Sequence, residues 1–265
     1  MVSAVRPARS PKKTSRSRPA RPPKRRPSAS LRVYDRLVPG TFLSRPNRFV
    51  AKVRVRGRTI PCHVPDPGRL EELLVKGARV LLAPGLAGGR TTESDLVLVR
   101  HKGIWVSVNS QLPTAFVRHL LENRILPEFS RYTKVEPEVN LGHSRLDFLL
   151  RSGESRCYVE VKGASLVVGR RALFPDAPTE RGSRHLAELA QARHRGDRAC
   201  VLFIIQRPDA DRFSPNATTD PEFAMSLAVA AAKGVEVYAY TTRVKDGTIS
   251  LGRKVQVELA PSSAA

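Results

Sequence analysis

The spacing of the apolar residues changes near Pro113, and this change constrains the fold more than any other feature of the sequence. Before Pro113, apolar and polar residues alternate over short runs separated by turn residues, which is typical of β-strands. Five such runs span residues 48–55, 58–64, 78–83, 95–99 and 104–108, with a weaker strand near Thr41 and a helix-like segment at 68–75. This order predicts an all-β N-terminal part, an OB-like Greek-key barrel over residues 31–110.

Beyond Pro113, segments with helical spacing alternate with segments that have strand spacing. We predict helices at 114–126, 179–195 and 221–233, and strands at 135–141, 144–150, 157–161, 199–205 and 235–240. The run 199–205 is wholly apolar, as in a central strand that is covered on both faces. The sequence therefore predicts an α/β domain with a mixed sheet over residues 111–258, followed by a short C-terminal tail at 259–265.

The charge of the chain favours a polyanionic partner. The 265 residues carry a formal net charge of +22, and nucleic acid is the common partner of so basic a protein. Residues 1–30 hold ten Lys or Arg and no acid and are rich in Pro and Ser, so we predict a disordered basic tail there. This tail is either a solubility tail or a nucleic-acid tether. A transit peptide is disfavoured because the prolines would interrupt an amphipathic helix.

The sequence also bears on location and redox state. No apolar run is long enough to span a bilayer, and none follows the basic start as in a signal peptide. We therefore expect no membrane association and a cytoplasmic location. Cys62, Cys157 and Cys200 are too widely spaced for a zinc site or a disulfide framework, which predicts reduced, mostly buried thiols. The oligomeric state stays open.

Three carboxylates fall on strand-like runs that are joined by two short turns. The turn near Gly153 places Asp147 directly opposite Glu160, about 5 Å away on one face of the sheet. The preceding turn adds Glu138 to the same row. Lys162 shares the face of Glu160, because side chains two residues apart on a strand point the same way.

This row of carboxylates needs a cation or a proton. Two like charges at that separation repel by about 3 kcal/mol at an effective dielectric constant of about 20. Mg²⁺ fits, because it prefers carboxylate oxygens and leaves positions for water and phosphate oxygens. The sequence therefore predicts a Mg²⁺ site with Asp147, Glu160 and Glu138 as ligands. In the structural alternative, Asp147 lies at the surface of an edge strand, and Glu160 and Lys162 form an ordinary ion pair on a solvated face.

These residues resemble the PD-(D/E)xK nuclease pattern, and the chain more broadly resembles the sugar fermentation stimulation protein A family. The matching segments are RFVAKVRVRGRTIPCHVPDPGRLEELL (48–74), VSVNSQLP (106–113), EVNLGHSRLDFLL (138–150), CYVEVKGASLV (157–167), ALFPDAPTERGSRHLAEL (172–189), FIIQRPDADRFSP (203–215), DPEFA (220–224) and GVEVYAY (234–240). The chain departs from the family at Asp66, where Asn is more common, and at Gly163 and Ala164 after the ExK motif.

The resemblance implies an OB-like domain, a nuclease-like mixed-sheet domain, DNA as a partner and a regulatory link to sugar metabolism. It gives Asp147, Glu160 and Lys162 the catalytic positions, with the two acids on the metal and Lys162 orienting or deprotonating the attacking water. Two hypotheses follow. The chain is either a DNA-binding, Mg²⁺-dependent phosphodiesterase of the nuclease type, or a non-catalytic DNA-binding regulator whose metal site is vestigial.

Basic residues near this pattern are candidates for nucleic-acid contacts. Arg181, Arg184 and His185 fall on one stripe of the helix that follows the ExK strand, where they either hold a phosphate or form a solvated face. The resemblance favours the phosphate contact for Arg181 and His185. Arg54 and Arg69 belong to the Arg-rich barrel, whose outer face is either a nucleic-acid groove or simply solvated. Charge alone does not separate DNA from RNA.

Overall fold

The N-terminal part of the molecule is a closed β-barrel. The computed structural model describes Met1 and residues 28–85 and 92–259. The chain begins with β1 (Ser30–Arg32) and continues with β2 (Val38–Asn47), β3 (Val50–Val55), β4 (Arg58–His63), β5 (Arg79–Pro84), β6 (Ser94–His101) and β7 (Ile104–Ser107). The sheet order is β4-β3-β2-β5-β6-β7, and a parallel contact between β4 and β6 closes the barrel. Phe42, Val53, Leu82 and Val99 are among its core residues, and the predicted OB-like barrel is confirmed.

The helix predicted at 68–75 is not present. This segment is a series of turns, in which the backbone N–H groups of Leu73 and Leu74 both donate to the carbonyl of Leu70. Leu70 has a φ of +53°, which a continuous right-handed helix does not allow. Leu70 and Leu73 are nevertheless buried in the barrel core. The apolar residues that suggested a helix are therefore two loop side chains that fill the interior of the barrel.

The C-terminal part is an α/β domain with a mixed sheet, as predicted. Its elements are α1 (Leu112–Glu122), a 3₁₀ turn (Pro127–Phe129), β8 (Lys134–Leu141), β9 (Ser144–Ser152), β10 (Ser155–Ala164), β11 (Leu166–Val168), β12 (Arg171–Phe174), α2 (Glu180–His194), β13 (Arg198–Ile205), β14 (Arg212–Pro215), α3 (Pro221–Ala232), β15 (Glu236–Lys245), β16 (Thr248–Lys254) and β17 (Gln256–Val257). A seven-stranded sheet has the order β1-β16-β15-β13-β10-β9-β8, and a smaller sheet has the order β11-β12-β14-β17.

The strand β13 lies at the centre of the large sheet. It pairs in parallel with β10 on one side and with β15 on the other. Leu202 and Ile204 belong to the core that includes helix α1, whereas Val201 and Phe203 belong to the core that includes α2 and α3. The apolar run at 199–205 is therefore covered on both faces, as predicted.

Helix ends follow local signals, although both ends of α1 differ from the prediction. Thr179 caps α2, because its Oγ1 accepts a hydrogen bond from the backbone N–H of Gly182. Helix α1 starts two residues earlier than predicted, because Pro113 fits the first turn of a helix. It ends at Glu122 rather than 126, since Arg124 has a φ of +54°.

The domain boundaries differ from the prediction at the start of the chain. Strand β1 pairs antiparallel with β16 of the large sheet, so residues 30–32 belong to the C-terminal domain rather than to the tail or the barrel. Residues 2–27 of the predicted tail, and residues 260–265, lie outside the described residues.

Two further expectations concern membrane-spanning segments and the state of the cysteines. No helix in the described ranges is both long enough and apolar enough to cross a membrane. Cys62, Cys157 and Cys200 are free thiols with buried side chains, in agreement with the prediction. Burial raises the pKa of Cys62 to about 11, so its thiol stays protonated at neutral pH.

Candidate functional site

Two neighbouring strands place Asp147 and Glu160 together. The antiparallel ladder between β9 and β10 ends at the pair Phe148 and Val159, and Asp147 and Glu160 are the next residue on each strand. Beyond Val159 a side-chain contact replaces the backbone hydrogen bonds between the two strands. Asp147 Oδ2 accepts a hydrogen bond from the backbone N–H of Val161 at 2.8 Å. Glu160 is only 4% exposed. The two carboxylates therefore lie close together, with Glu160 buried and Asp147 partly exposed to solvent.

One oxygen of Glu160 is held by two side chains. Glu160 Oε1 accepts a hydrogen bond from Lys162 Nζ at 2.6 Å and another from His185 Nδ1. Arg181 Nε donates to His185 Nε2 at 3.2 Å, so that nitrogen carries a lone pair and the ring proton lies on Nδ1. The arrangement is a chain of contacts from Arg181 through His185 to Glu160.

The other oxygen of Glu160 has no hydrogen-bond partner in the described part of the chain. Glu160 Oε2 is buried and accepts no hydrogen bond from the described residues. A buried carboxylate oxygen in this condition is unfavourable by about 1–3 kcal/mol or more, unless water or a cation satisfies it. This atom is therefore the part of the site that most requires a ligand.

The pKa values of the two acids move in opposite directions. Burial, followed by the negative charge of Glu160, raises the pKa of Asp147 to about 6. Burial alone would raise the pKa of Glu160 as well, but the hydrogen bond from His185 and the charge of Lys162 outweigh it and lower that pKa. At neutral pH both groups are ionised, and Asp147 carries its charge in an unfavourable setting.

The pair fits a divalent cation with oxygen ligands. Asp147 and Glu160 offer carboxylate oxygens, which Mg²⁺ and Ca²⁺ prefer, and none of the described residues donates a hydrogen bond to Glu160 Oε2. Within residues 28–85 and 92–259, no group of three or more His, Cys, Asp or Glu side chains converges as a metal site. A cation at the pair would therefore complete its coordination with water and substrate oxygens, as is common for Mg²⁺.

The structure does not bring the predicted third carboxylate to this pair. Glu138 is opposite Asp147 in register, between the paired residues Pro137 and Val139. Its φ of +54° takes it out of the regular pleat. Its side chain is 70% exposed and forms an ion pair with Arg145 at 3.6 Å. The predicted row of three carboxylates is therefore reduced to two.

The acid pair lies in a cleft between the two domains. This cleft has a volume of about 500 Å³, and Asp147, Glu160 and Lys162 line it together with Arg48 and Asp66 of the barrel. The sequence pattern located the α/β wall of the cleft but not the barrel wall. The only sequence signal for that wall was the PDPGR segment at 65–69, which matches the family resemblance.

Arg45 and Gly68 determine how the barrel wall of the cleft is positioned. The guanidinium of Arg45 donates to four backbone carbonyls of this wall, those of Arg48, Asp66, Gly68 and Arg69. Gly68 lies against Asp176 so closely that a Cβ atom there would be 2.3 Å from Asp176 Oδ2. The glycine therefore allows the barrel loop to dock against the α/β domain.

The other predicted contact residues are distributed unevenly. Arg181 lines the cleft, but His185 is only 2% exposed and is bound to Glu160, so it cannot hold a phosphate directly. Arg184, Arg54 and Arg69 are exposed and do not line the cleft.

The chain is thus a two-domain protein with an OB-type barrel, a mixed-sheet α/β domain and a carboxylate pair in the cleft between them. Two family models match its sequence. The SfsA N-terminal OB domain matches residues 43–108, and the sugar fermentation stimulation protein RE domain matches residues 111–248. The chain belongs to the sugar fermentation stimulation protein family.

Individual relatives agree with this assignment. The sugar fermentation stimulation protein homolog of Moorella thermoacetica is 48% identical over 225 residues, covering 84% of this chain and 97% of the relative. The homolog of Chloroflexus aurantiacus is 46% identical over 221 residues, covering 83% and 85%. The solved structure of Pyrococcus furiosus SfsA in complex with Ca²⁺ matches with a TM-score of 0.79 and 32% identity, covering 85% of this chain and 97% of that one.

Proposed function

We propose that this protein binds DNA and hydrolyses its phosphodiester bonds with Mg²⁺ held by Asp147 and Glu160. The observation that carries the proposal is the acid pair in the cleft, in which Glu160 Oε2 has no partner among the described residues and the pKa of Asp147 is raised to about 6. The ion pair with Lys162 engages only Oε1 of Glu160, so it leaves Oε2 open and does not balance the charge of Asp147. The pair instead has a deficit of positive charge that a divalent cation would supply.

Each side chain of the cluster has a role in this reaction. The bound Mg²⁺ would polarise the phosphate and lower the pKa of a bound water. His185 fixes the orientation of Glu160 by donating to its Oε1. Lys162 Nζ lies 2.6 Å from the same oxygen and would orient the attacking water. Arg181 lines the cleft and offers its guanidinium to a phosphate.

Three further observations support a nucleic-acid substrate and a divalent cation. The net charge of +22 favours a polyanion. OB barrels commonly bind nucleic-acid strands, and here the barrel forms one wall of the cleft. The similar SfsA of Pyrococcus furiosus forms a complex with Ca²⁺, which takes the same oxygen ligands as Mg²⁺.

A second candidate is a DNA-binding regulator with no catalytic activity. The contact between Lys162 and Glu160 favours it, because the ammonium group neutralises one of the two acids without a metal. A site closed in this way would bind a cation weakly or not at all. The two candidates differ in whether DNA is cut, and not in whether it is bound.

A cleavage assay separates the candidates. We would incubate the wild type, Glu160→Gln and Asp147→Asn with single-stranded and duplex DNA, in Mg²⁺ or in chelator. Glu138→Gln is the matched control, because it removes an acid of the same sheet that does not join the pair. We expect Mg²⁺-dependent cleavage by the wild type and the control and at least a 100-fold loss in the other two variants. Salt-sensitive binding with no cleavage by any of the four proteins would contradict catalysis and favour the regulator.

A further inference from the structure

An arginine and an exposed phenylalanine form the tip of the turn between β2 and β3. Phe49 is 50% exposed, whereas hydrogen bonds hold its backbone on both sides. Its N–H donates to Asn47 Oδ1 at 2.9 Å, and its carbonyl accepts from Val64 N at 2.8 Å. The guanidinium of Arg48 lies 5.9 Å from the centre of the ring. A turn with a fixed backbone therefore carries an exposed aromatic side chain with a positive charge over its ring.

This turn stands between the carboxylate cleft and a second cavity. Arg48 lines the cleft, and its neighbour Phe49 lines the second cavity, which has a volume of about 610 Å³. Asp66, Pro67 and Ser110 line both. The two spaces therefore adjoin each other along these shared residues.

The walls of the second cavity suit a flat, polar ring. Tyr34 and Asn109 line it, and the Tyr34 hydroxyl accepts a hydrogen bond from Asn109 Nδ2 at 3.2 Å. Burial raises the pKa of Tyr34 to about 12, so its hydroxyl keeps its proton and can donate at neutral pH. A volume of about 610 Å³ lies in the usual range for small-ligand sites, which is ample for one nucleobase.

We propose that the second cavity takes one unpaired nucleobase of the strand whose backbone lies in the cleft, with Phe49 as the stacking platform. The inference rests on the proposed function, because a strand must first occupy the cleft. Proteins that bind single strands pair a basic track for the backbone with aromatic side chains for the bases. Arg48 and Phe49 provide one of each on adjacent residues. A base inside a duplex is already stacked on both faces, so the site selects single-stranded or locally unpaired DNA.

The test measures DNA binding with the Glu160→Gln variant as background, so that the strand is not cut during the measurement. We would follow a fluorescently labelled single strand by anisotropy with Phe49→Ala and Phe49→Trp. Val75→Ala is the matched control, since Val75 is also an exposed apolar residue of the barrel, at 52%, and lines neither space. Thermal melting confirms that the Glu160→Gln background and each variant made on it are folded, and we expect no loss from the changes at Phe49 and Val75 because both side chains are exposed.

The expected result is selective for the aromatic ring and for the base. Phe49→Ala should weaken single-strand binding by roughly 5- to 150-fold, which is the range for loss of one stacked base. Phe49→Trp and Val75→Ala should bind like the background protein. A strand made of abasic sugar phosphates should bind the background protein and Phe49→Ala with equal affinity, because it has no base to stack.

Two other outcomes are decisive in different ways. If single strands bind but Phe49→Ala leaves their affinity unchanged, or if duplex DNA is as sensitive to Phe49→Ala as the single strand, the stacking site is wrong and the proposed function stands. If no form of DNA binds the wild-type protein, the proposed function fails, and this inference fails with it.

Discussion

Asp147→Asn is expected to stabilise the metal-free protein at neutral pH, although it removes a proposed metal ligand. The pKa of Asp147 is raised from 3.8 to about 6 by burial and then by the charge of Glu160. The folded state therefore holds this proton more tightly than the unfolded chain does. Stability falls as pH rises from about 4 through about 6, and the full loss persists above that range. Asparagine has the same shape without the charge, and its Oδ1 can still accept the N–H of Val161.

The magnitude follows from the pKa shift. A shift from 3.8 to about 6 is roughly two units. At about 1.4 kcal/mol per unit, the charged form destabilises the fold by about 3 kcal/mol at pH 7 and above. This is an upper limit, because Asp147 is partly exposed and solvent screens its charge. At about pH 5 the same relation leaves roughly half of the effect.

Urea denaturation in the presence of a chelator measures this difference. Asp147→Asn should have a higher free energy of unfolding than the wild type at about pH 7.5, by up to about 3 kcal/mol, and the gain should shrink at about pH 5. Glu138→Gln should change little, because its side chain is 70% exposed. Mg²⁺ should then stabilise the wild type and not Asp147→Asn. A variant that is no more stable than the wild type at neutral pH, or a gain that does not depend on pH, would refute the account of this site.

Two further predictions concern the barrel wall and the basic tail. Gly68→Ala would place a Cβ atom 2.3 Å from Asp176 Oδ2 and should lower the free energy of unfolding by about 1–3 kcal/mol in urea titrations. Adding Asp176→Ala should restore most of that loss, and a Gly68→Ala protein as stable as the wild type would show that the contact is not tight in solution. Deletion of residues 2–27, which keeps β1, should reduce the salt dependence of DNA binding if the tail is a tether. An unchanged salt dependence would leave the tail as a solubility tail.

The acid pair could be predicted from the sequence because it depends on local geometry. Two short turns fix the register of three strands, and register decides which residues are opposite each other. The same arithmetic failed for Glu138, although the register itself is as expected. The positive φ of Glu138 redirects its side chain, and the spacing of apolar residues does not predict a backbone angle.

The rest of the site depends on how the domains dock, which apolar spacing does not encode. His185 has the sequence environment of an exposed helix face, yet it is buried against Glu160 because α2 packs across β10. Arg45 and Asp176 are unremarkable in sequence and become important only when the barrel loop meets the α/β domain. The helix predicted at 68–75 failed for a related reason, since the barrel interior and not a helix partner buries Leu70 and Leu73.

The position of β1 has a consequence for how the polypeptide can be divided. Because β1 pairs with β16 before the chain enters the barrel, the barrel is an insertion within the α/β domain and not a module in front of it. A fragment that starts at residue 111 would leave the edge of β16 bare, with the carbonyl of Gly247 deprived of the N–H groups of Val33 and Tyr34. Bare edges of this kind recruit strands from other molecules. Dissection of the domains should therefore excise the barrel and retain the residues on both sides of it in one chain.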